Sequence, residues 1–432
     1  MIDLIKELLF KNHIKVYKII EEKIESIELF FIKKELDLSR GKDVKKYNVT
    51  VYNDFQENGE RYRGSSTADI YSTMKEEEIE KILKEAMYSA SFVKNRYYDI
   101  PEGKKEEAFI VPSSFFNLTL EEGALKIKEA LYKEDVLEKG YINSSEIFLY
   151  KNTTRIVNSE GVDVTFSNMY SDLEFITQWI EERDIELYNF ISFTELKDEY
   201  LENIVKESLD RAKYRAKAES GIKSGKYKVI LRNDAVKDVF TYYYTNGANV
   251  SRIYTESSNF RIGESVQGKD IKGDYVNITL NPILSNSKTS YPWDRDGVKL
   301  KKIELIKDGI LKSYFGDSRY CYYLGIDPKG TIKNIEVEVG SKNLEEMKKG
   351  KYLEVLAFSD FQTEPLTGDF AGEIRLGLYS DGVEVVPITG GSISGNIKRV
   401  HENMYLSKEA YETTSYNGPM ALELYDISVA GD

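Results

Sequence analysis

The sequence predicts an α+β protein: an N-terminal helix-plus-antiparallel-sheet region followed by a strand-rich C-terminal domain. Three observations predict it. Asn58-Gly59, Asp308-Gly309 and Asp381-Gly382 each join two β-type runs, and such local turns pair strands antiparallel. Helix-start signals followed by apolar residues at helical spacing recur before residue 220. A polar, glycine-containing link, Ser220 to Lys226, then separates a long helical segment from a half where strand signals dominate.

Taken in order, the first eleven residues carry Asp3 and Glu7 inside an apolar stretch, which reads as an amphipathic helix rather than a signal peptide. Tyr47–Asp54 and Glu60–Arg63 form a hairpin about Asn58-Gly59. Thr73-Met74-Lys75-Glu76 is read as a capping box, with Ile79, Ile82, Leu83, Ala86, Ala90 and Val93 as the buried stripe behind it. Thr119 to Glu122 is a second box, leading a helix to about Lys139 that Gly140 stops. Ile147–Val157 and Val162–Ile180 are long alternating strands divided by Asn158 to Gly161. A helix from Leu196 to Ala218 buries Leu201, Ile204, Val205, Leu209, Ala212 and Ala216. Beyond the link, Lys302–Ile306 pairs with Ile310–Phe315, and Ile374–Tyr379 with Val383–Ile388. With a weaker break at Pro101–Glu107, the expected domains are 1–100, 101–220 and 221–432.

Charge and cysteine usage narrow the function classes. Sixty Lys+Arg stand against 73 Asp+Glu, a net charge of −13 that disfavours a phosphate-tracking surface and hence a nucleic-acid partner. The single cysteine, Cys321, can form no internal disulfide, which suits a reducing compartment. No apolar run approaches the roughly 20 residues of a membrane span. The expectation is a cytoplasmic protein without membrane contact.

The residues display no catalytic constellation. A zincin needs two histidines on one helical face, whereas His13 and His401 stand alone and read as surface or core-edge residues. Cys321 lies among tyrosines, where a buried, inert thiol is expected. Gly390 to Asn396 is read as a tight loop, and Asp294-Arg295-Asp296-Gly297 as an ordinary turn lacking the further oxygen ligands of a calcium loop. Thr367-Gly368-Asp369-Phe370 is the most site-like run of the second half and is a candidate cavity-lining segment.

A set of weak motifs, in order, resembles the TldD/PmbA family, also known as modulators of DNA gyrase. Gly225–Leu231 resembles the strand opening its C-terminal domain; Ser258–Gly263, Asp294–Val298 and Ile306–Leu311 resemble later segments. Thr367–Phe370 matches a T-G-D-[FY] motif, Ile393–Asn396 an I-x-G-N motif, and Val429-Ala430-Gly431 a closing V-A-G. Arg63–Asp69 and Asn158–Gly161 add fainter likeness in the first half. The resemblance implies a helix after the opening strand that carries H-E-x-x-x-H in catalytic members. Counted without gaps, those positions are Thr241, Tyr242 and Asn246, none an imidazole or a carboxylate. The helix pattern itself persists: Asn233 or Asp234 can cap it, Val236, Val239, Phe240 and Tyr243 form its apolar stripe, and Gly247 can end it. The cysteine ligand that catalytic members carry near the C-terminus is missing from Ser415–Pro419.

The resemblance therefore implies a PmbA/TldE-like, non-catalytic subunit of a heterodimeric metalloprotease that cleaves unfolded or flexible peptides. It implies no catalytic residue, metal or cofactor on this chain, with zinc on a TldD-type partner. Two other readings stay open: a non-enzymatic homodimer that binds peptides or acts as a scaffold, and a metal-independent hydrolase using carboxylates around Asp369 or Asp294.

Overall fold

The computed structural model describes residues 1–197 and 199–431; residue 198, within the expected third helix, lies outside it, as do the side chains of Ser220 and Asn246. The architecture is α+β, as expected. Among the described residues, one sheet is built on five long strands: β1 (Val16–Ile32), β2 (Glu35–Glu57), β3 (Glu60–Tyr71), β4 (Gly140–Asn158) and β5 (Asp163–Ile180), in the order β3-β2-β1-β4-β5, with β6 (Asp184–Phe193) beside β5. Asn58 and Gly59, at φ 52° and 83°, make the β2–β3 turn, and Asn158 to Gly161 joins β4 to β5. Because β1 pairs with β4 from Lys18↔Asn158 to Ile32↔Ser144, residues on both sides of position 101 belong to one continuous sheet.

Four helices cover one face of this sheet. Helix α1 (Ile2–Lys11) and α2 (Glu76–Ala90) bury Ile5, Leu9, Ile79 and Leu83 on Ile19, Val49, Val51 and Ile70. Helix α3 (Leu120–Leu131) and α4 (Tyr200–Lys217) bury Ile127, Leu131, Val205 and Leu209 on Leu29, Ile147, Leu149 and Leu173. Strand alternation places all these strand residues on the same face.

Two helix boundaries differ from expectation. Thr73 caps nothing: α2 starts three residues later, where the Glu78 carboxylate accepts the Lys75 N–H at 2.8 Å. At α3 the Thr119 box does form, with reciprocal bonds of 3.1 and 2.9 Å to Glu122. That helix stops at Leu131 rather than near Lys139, because Val136 and Leu137 find nothing to bury against, while Asp135 accepts the N–H of Ile142 at 3.1 Å to turn the chain.

The C-terminal half holds a second sheet around β7 (Gly225–Arg232), β8 (Lys351–Thr363), β9 (Asp369–Asp381), β10 (Val385–Thr389), β11 (Ser392–Asn396) and β12 (Ala421–Ala430). A smaller third sheet contains the Ile303–Lys307 and Ile310–Leu311 hairpin, turned by Asp308 and Gly309 at φ 51° and 69°. This half meets the other face of the N-terminal sheet chiefly at one end, and Lys288 reaches Asp172 on β5 at 2.7 Å. At that end Trp293 and Tyr291 pack on Ile20, Ile156, Val164 and Phe166, and Lys18 bonds Asp296 at 2.6 Å.

Candidate functional site

Strand β7 runs into helix α5 (Asp234–Thr241) through Asn233, whose φ of 52° and ψ of −115° make a sharp corner. Neither expected cap operates: the Asn233 side chain makes no cap bond, and its Oδ1 has no partner. What holds the helix is burial, since Val236, Val239, Phe240 and Tyr243 all face the core as the stripe predicts.

The helix does not continue as α. Tyr242 to Gly247 form a π-helical turn. This matters for the H-E-x-x-x-H spacing. In an α-helix, residues five apart lie about 140° from each other around the axis, whereas an i→i+5 hydrogen-bonded turn stacks them on one side. The backbone here thus has the form that two ligands at that spacing need. Gly247 serves this turn, but not as a left-handed stop. It lacks positive φ, and a Cβ there would lie 2.2 Å from the Phe260 ring.

The side chains do not fit a zinc ion. The Thr241 hydroxyl donates to the Asp238 carbonyl at 2.6 Å, so it is committed to its own helix. Tyr242 is buried, edge-on to Tyr243 at 5.1 Å and to Phe260 at 5.7 Å, and burial raises its phenol to about 12. A phenol in that state is neither a thiolate, an imidazole nor a carboxylate at neutral pH. The Asn246 side chain lies outside the described residues. The Ser415–Pro419 region does approach this helix. Tyr416 stacks on Phe240 at 6.3 Å and donates its hydroxyl to the Pro419 carbonyl at 2.9 Å.

The Thr367–Phe370 segment lies against the same helix. Gly368, at φ 81°, places a hypothetical Cβ 3.3 Å from the Tyr242 ring. Its carbonyl accepts the Ile397 N–H at 2.7 Å. Thr367 donates to Asp369 at 2.7 Å, and Asn396 donates to Asp369 at 2.6 Å and to the Thr367 carbonyl at 3.2 Å. The two sequence motifs therefore interlock: β9 and β11 pair Asp369 with Asn396, and Phe370 with Gly395, where any Cβ would strike the Phe370 ring at 2.4 Å. Asn396 and then Thr367 hold the Asp369 carboxyl below the usual range. Asp369 and Phe370 line a groove of about 780 Å³ between β9, β11 and β12, with Lys226 and Arg399 also on its wall. Thr367 is exposed at the turn, and Gly368 faces the tyrosine.

Other residues weighed in the sequence occupy separate places. Asp294 is buried, and its carboxylate accepts N–H groups from Asp296, Val298 and Thr331 at 2.9 to 3.1 Å, so it fastens a loop. Burial and neighbouring Asp296 raise it to about 6. It lines a different groove, of about 600 Å³, between the N-terminal sheet and the C-terminal half. Cys321 is buried, and burial raises its thiol. His13 is exposed just past α1 at φ 57°. His401 is no surface residue: it is 5% exposed, and its Nδ1 shares a hydrogen bond with the Tyr243 hydroxyl at 3.2 Å. This pair was not legible in the sequence, where the two residues are 158 positions apart. Among the described residues, no three His, Cys, Asp or Glu side chains group as metal ligands would.

Comparison with known proteins places the C-terminal half of this chain in a metallopeptidase-related class. The profile of the PmbA/TldA metallopeptidase C-terminal domain matches residues 224–431. Metalloprotease PmbA of Escherichia coli O157:H7 is 26% identical over 211 residues, 48% of this chain and 46% of that protein. A zinc metalloprotease TldD homolog of Saccharolobus solfataricus is 25% identical over 193 residues, 40% and 42% of the two chains. The aligned stretches thus span about half the length of the curated relatives. The crystal structure of TldE from Thermococcus kodakarensis superposes over 100% of both chains with a TM-score of 0.80 at 16% identity, a likeness of fold. Residues 224–431 thus carry a C-terminal domain of the TldD/PmbA family.

Proposed function

We propose that this chain is the PmbA/TldE-like, non-catalytic subunit of a two-chain peptidase, with zinc on a TldD-type partner and unfolded or flexible peptides as substrate, in the cytoplasm. The observation that carries this reading is the state of the ligand helix. Its π-turn has the backbone that an i, i+5 ligand pair requires, yet a back-bonded hydroxyl and a buried phenol stand at the first two positions. No helix among the described residues is long and apolar enough to cross a membrane, which is compatible with that location.

Native co-purification tests the reading. A TldD-type chain is expected to come down with this protein, and peptide cleavage by the pair is expected to stop with a chelator. Stoichiometric zinc on the lone chain, or chelator-sensitive cleavage by it alone, overturns the proposal. A homodimer as the sole native species, with no TldD-type chain bound, favours the scaffold reading instead. The carboxylate-hydrolase reading gains nothing from the geometry, because Asp294 and Asp369 line different grooves and both are tied by hydrogen bonds. Activity of the lone chain lost in Asp369→Asn would revive it.

A further inference from the structure

One face of the N-terminal sheet is covered by α1 to α4. The other is covered by the C-terminal half around Ile20, Ile156 and Phe166, and Lys288 of that half also reaches Asp172 at 2.7 Å and lies over the Tyr170 and Phe190 rings at 5.6 and 5.3 Å. Beyond these contacts the face is part-open: Ser26 and Glu28 are buried, while Phe30, Phe148, Tyr150 and Tyr170 are half-buried. It is also unusually aromatic. The Phe30 and Phe148 rings lie 5.8 Å apart, and the series continues through Tyr150 and Tyr170 at 6.3 and 5.2 Å. On β6, Tyr188 and Phe190 are 63% and 49% exposed.

The charges on this face divide into two kinds. Glu28 is held by Arg40 and Lys42, and Asp172 by Lys288 at 2.7 Å. Glu146 and Glu174 sit directly opposite each other on β4 and β5, with no lysine or arginine within 4 Å of either carboxylate among the described residues. Glu174 accepts only the Tyr188 hydroxyl, at 2.9 Å. Burial and the facing Glu174 push the Glu146 carboxyl upward, with Arg40 a weaker counterweight. Like charges directly opposite on a sheet destabilise it, so the pair has no benefit to the isolated fold. It is, however, matched to an incoming cation. An ammonium or guanidinium laid between the two carboxylates would also lie near aromatic rings that attract cations.

We propose that the part-open face of the N-terminal sheet around Glu146, Glu174 and Phe190 binds an extended polypeptide segment bearing lysine or arginine side chains. This names the substrate class within the peptide-handling reading above and rests on it for its biological setting only. The occupant is cationic because the uncompensated charge is negative. It is extended because the acidic pair and the flanking aromatic rows repeat at strand spacing, which a β-type chain matches.

The test uses the lone full-length chain, without partner or proteolysis, so that it does not depend on the heterodimer. Fluorescence anisotropy would follow a labelled twelve-residue peptide of alternating lysine and leucine, against the same peptide with glutamate for lysine. The lysine peptide is expected to bind, with affinity falling as salt rises, and the glutamate peptide not to bind. The Glu146→Gln/Glu174→Gln double variant is expected to lose about tenfold or more in affinity, in line with the loss of one charge-assisted contact. Its thermal midpoint should hold or rise, because repulsion has been removed. Phe190→Ala, at an exposed ring, should weaken binding without unfolding the chain. Glu76→Gln/Glu77→Gln on the distant, exposed start of α2 should change nothing. Equal binding of the two peptides, no binding of either, an unaffected Glu146/Glu174 variant, or equal weakening by the α2 variant overturns the proposal. So does competition restricted to a folded TldD-type subunit, which would make the face a subunit interface.

Discussion

Buried against Tyr243, the His401 imidazole is lowered from its ordinary 6.5 to about 4, chiefly because burial penalises the imidazolium. The unfolded chain binds this proton more readily than the folded one. Its contribution to stability is therefore complete above pH 6.5 and is lost as pH falls toward 4. Asp238 and Asp294, both raised to about 6 mainly by burial, titrate in the opposite sense over part of that window. Comparison with a His401→Gln variant cancels them. Urea unfolding at pH 7 and pH 5 should show the parent losing about 2 kcal/mol more than the variant. Equal losses would mean that the imidazole is not held neutral.

At the scale of elements, the two threonine signals give opposite outcomes from near-identical sequence. Thr119→Ala should cost about 1 kcal/mol through its lost cap, and Thr73→Ala almost nothing, as read by thermal unfolding, since Thr73 is exposed and caps no helix. Thr73-x-x-Glu76 and Thr119-x-x-Glu122 share one local pattern, so only the packing of each helix on the sheet selects the register of its start. The π-turn offers a third case. Gly247→Ala should cost about 1–3 kcal/mol by overpacking against Phe260. A Gly247→Ala/Phe260→Leu double variant should recover part of that, because the two sites are in contact. Additive losses in that cycle would place the strain elsewhere.

For the whole molecule, the two halves are joined by the apolar patch at Trp293, by the Tyr98–Tyr323 contact, and by ion pairs and hydrogen bonds such as Lys288–Asp172 and Thr194 N–H to Asn286. Trp293 is 4% exposed within that patch. Trp293→Ala should cost about 3–5 kcal/mol. Its unfolding followed by probes in the two halves should lose coincidence, whereas the parent should show a single transition. The same arrangement leaves part of one sheet face open around Tyr188 and Phe190, and the interlocked Thr367 and Asn396 turns press on α5 and its π-turn from the far end of the chain.

The sequence by itself determined the fold class, the hairpin turns at Asn58-Gly59 and Asp308-Gly309, and the buried stripe of α5, because each depends on neighbours within a few residues. It also pointed to the family of the C-terminal half, through short motifs in fixed order. Only the tertiary structure decided the rest. The continuity of β1 with β4, the π-turn, the seat of Gly368 on Tyr242, and the His401–Tyr243 bond arise from contacts over tens to hundreds of positions. Periodicity carries no record of such partners: a glycine chosen for an aromatic ring and one chosen for a turn look the same in the chain.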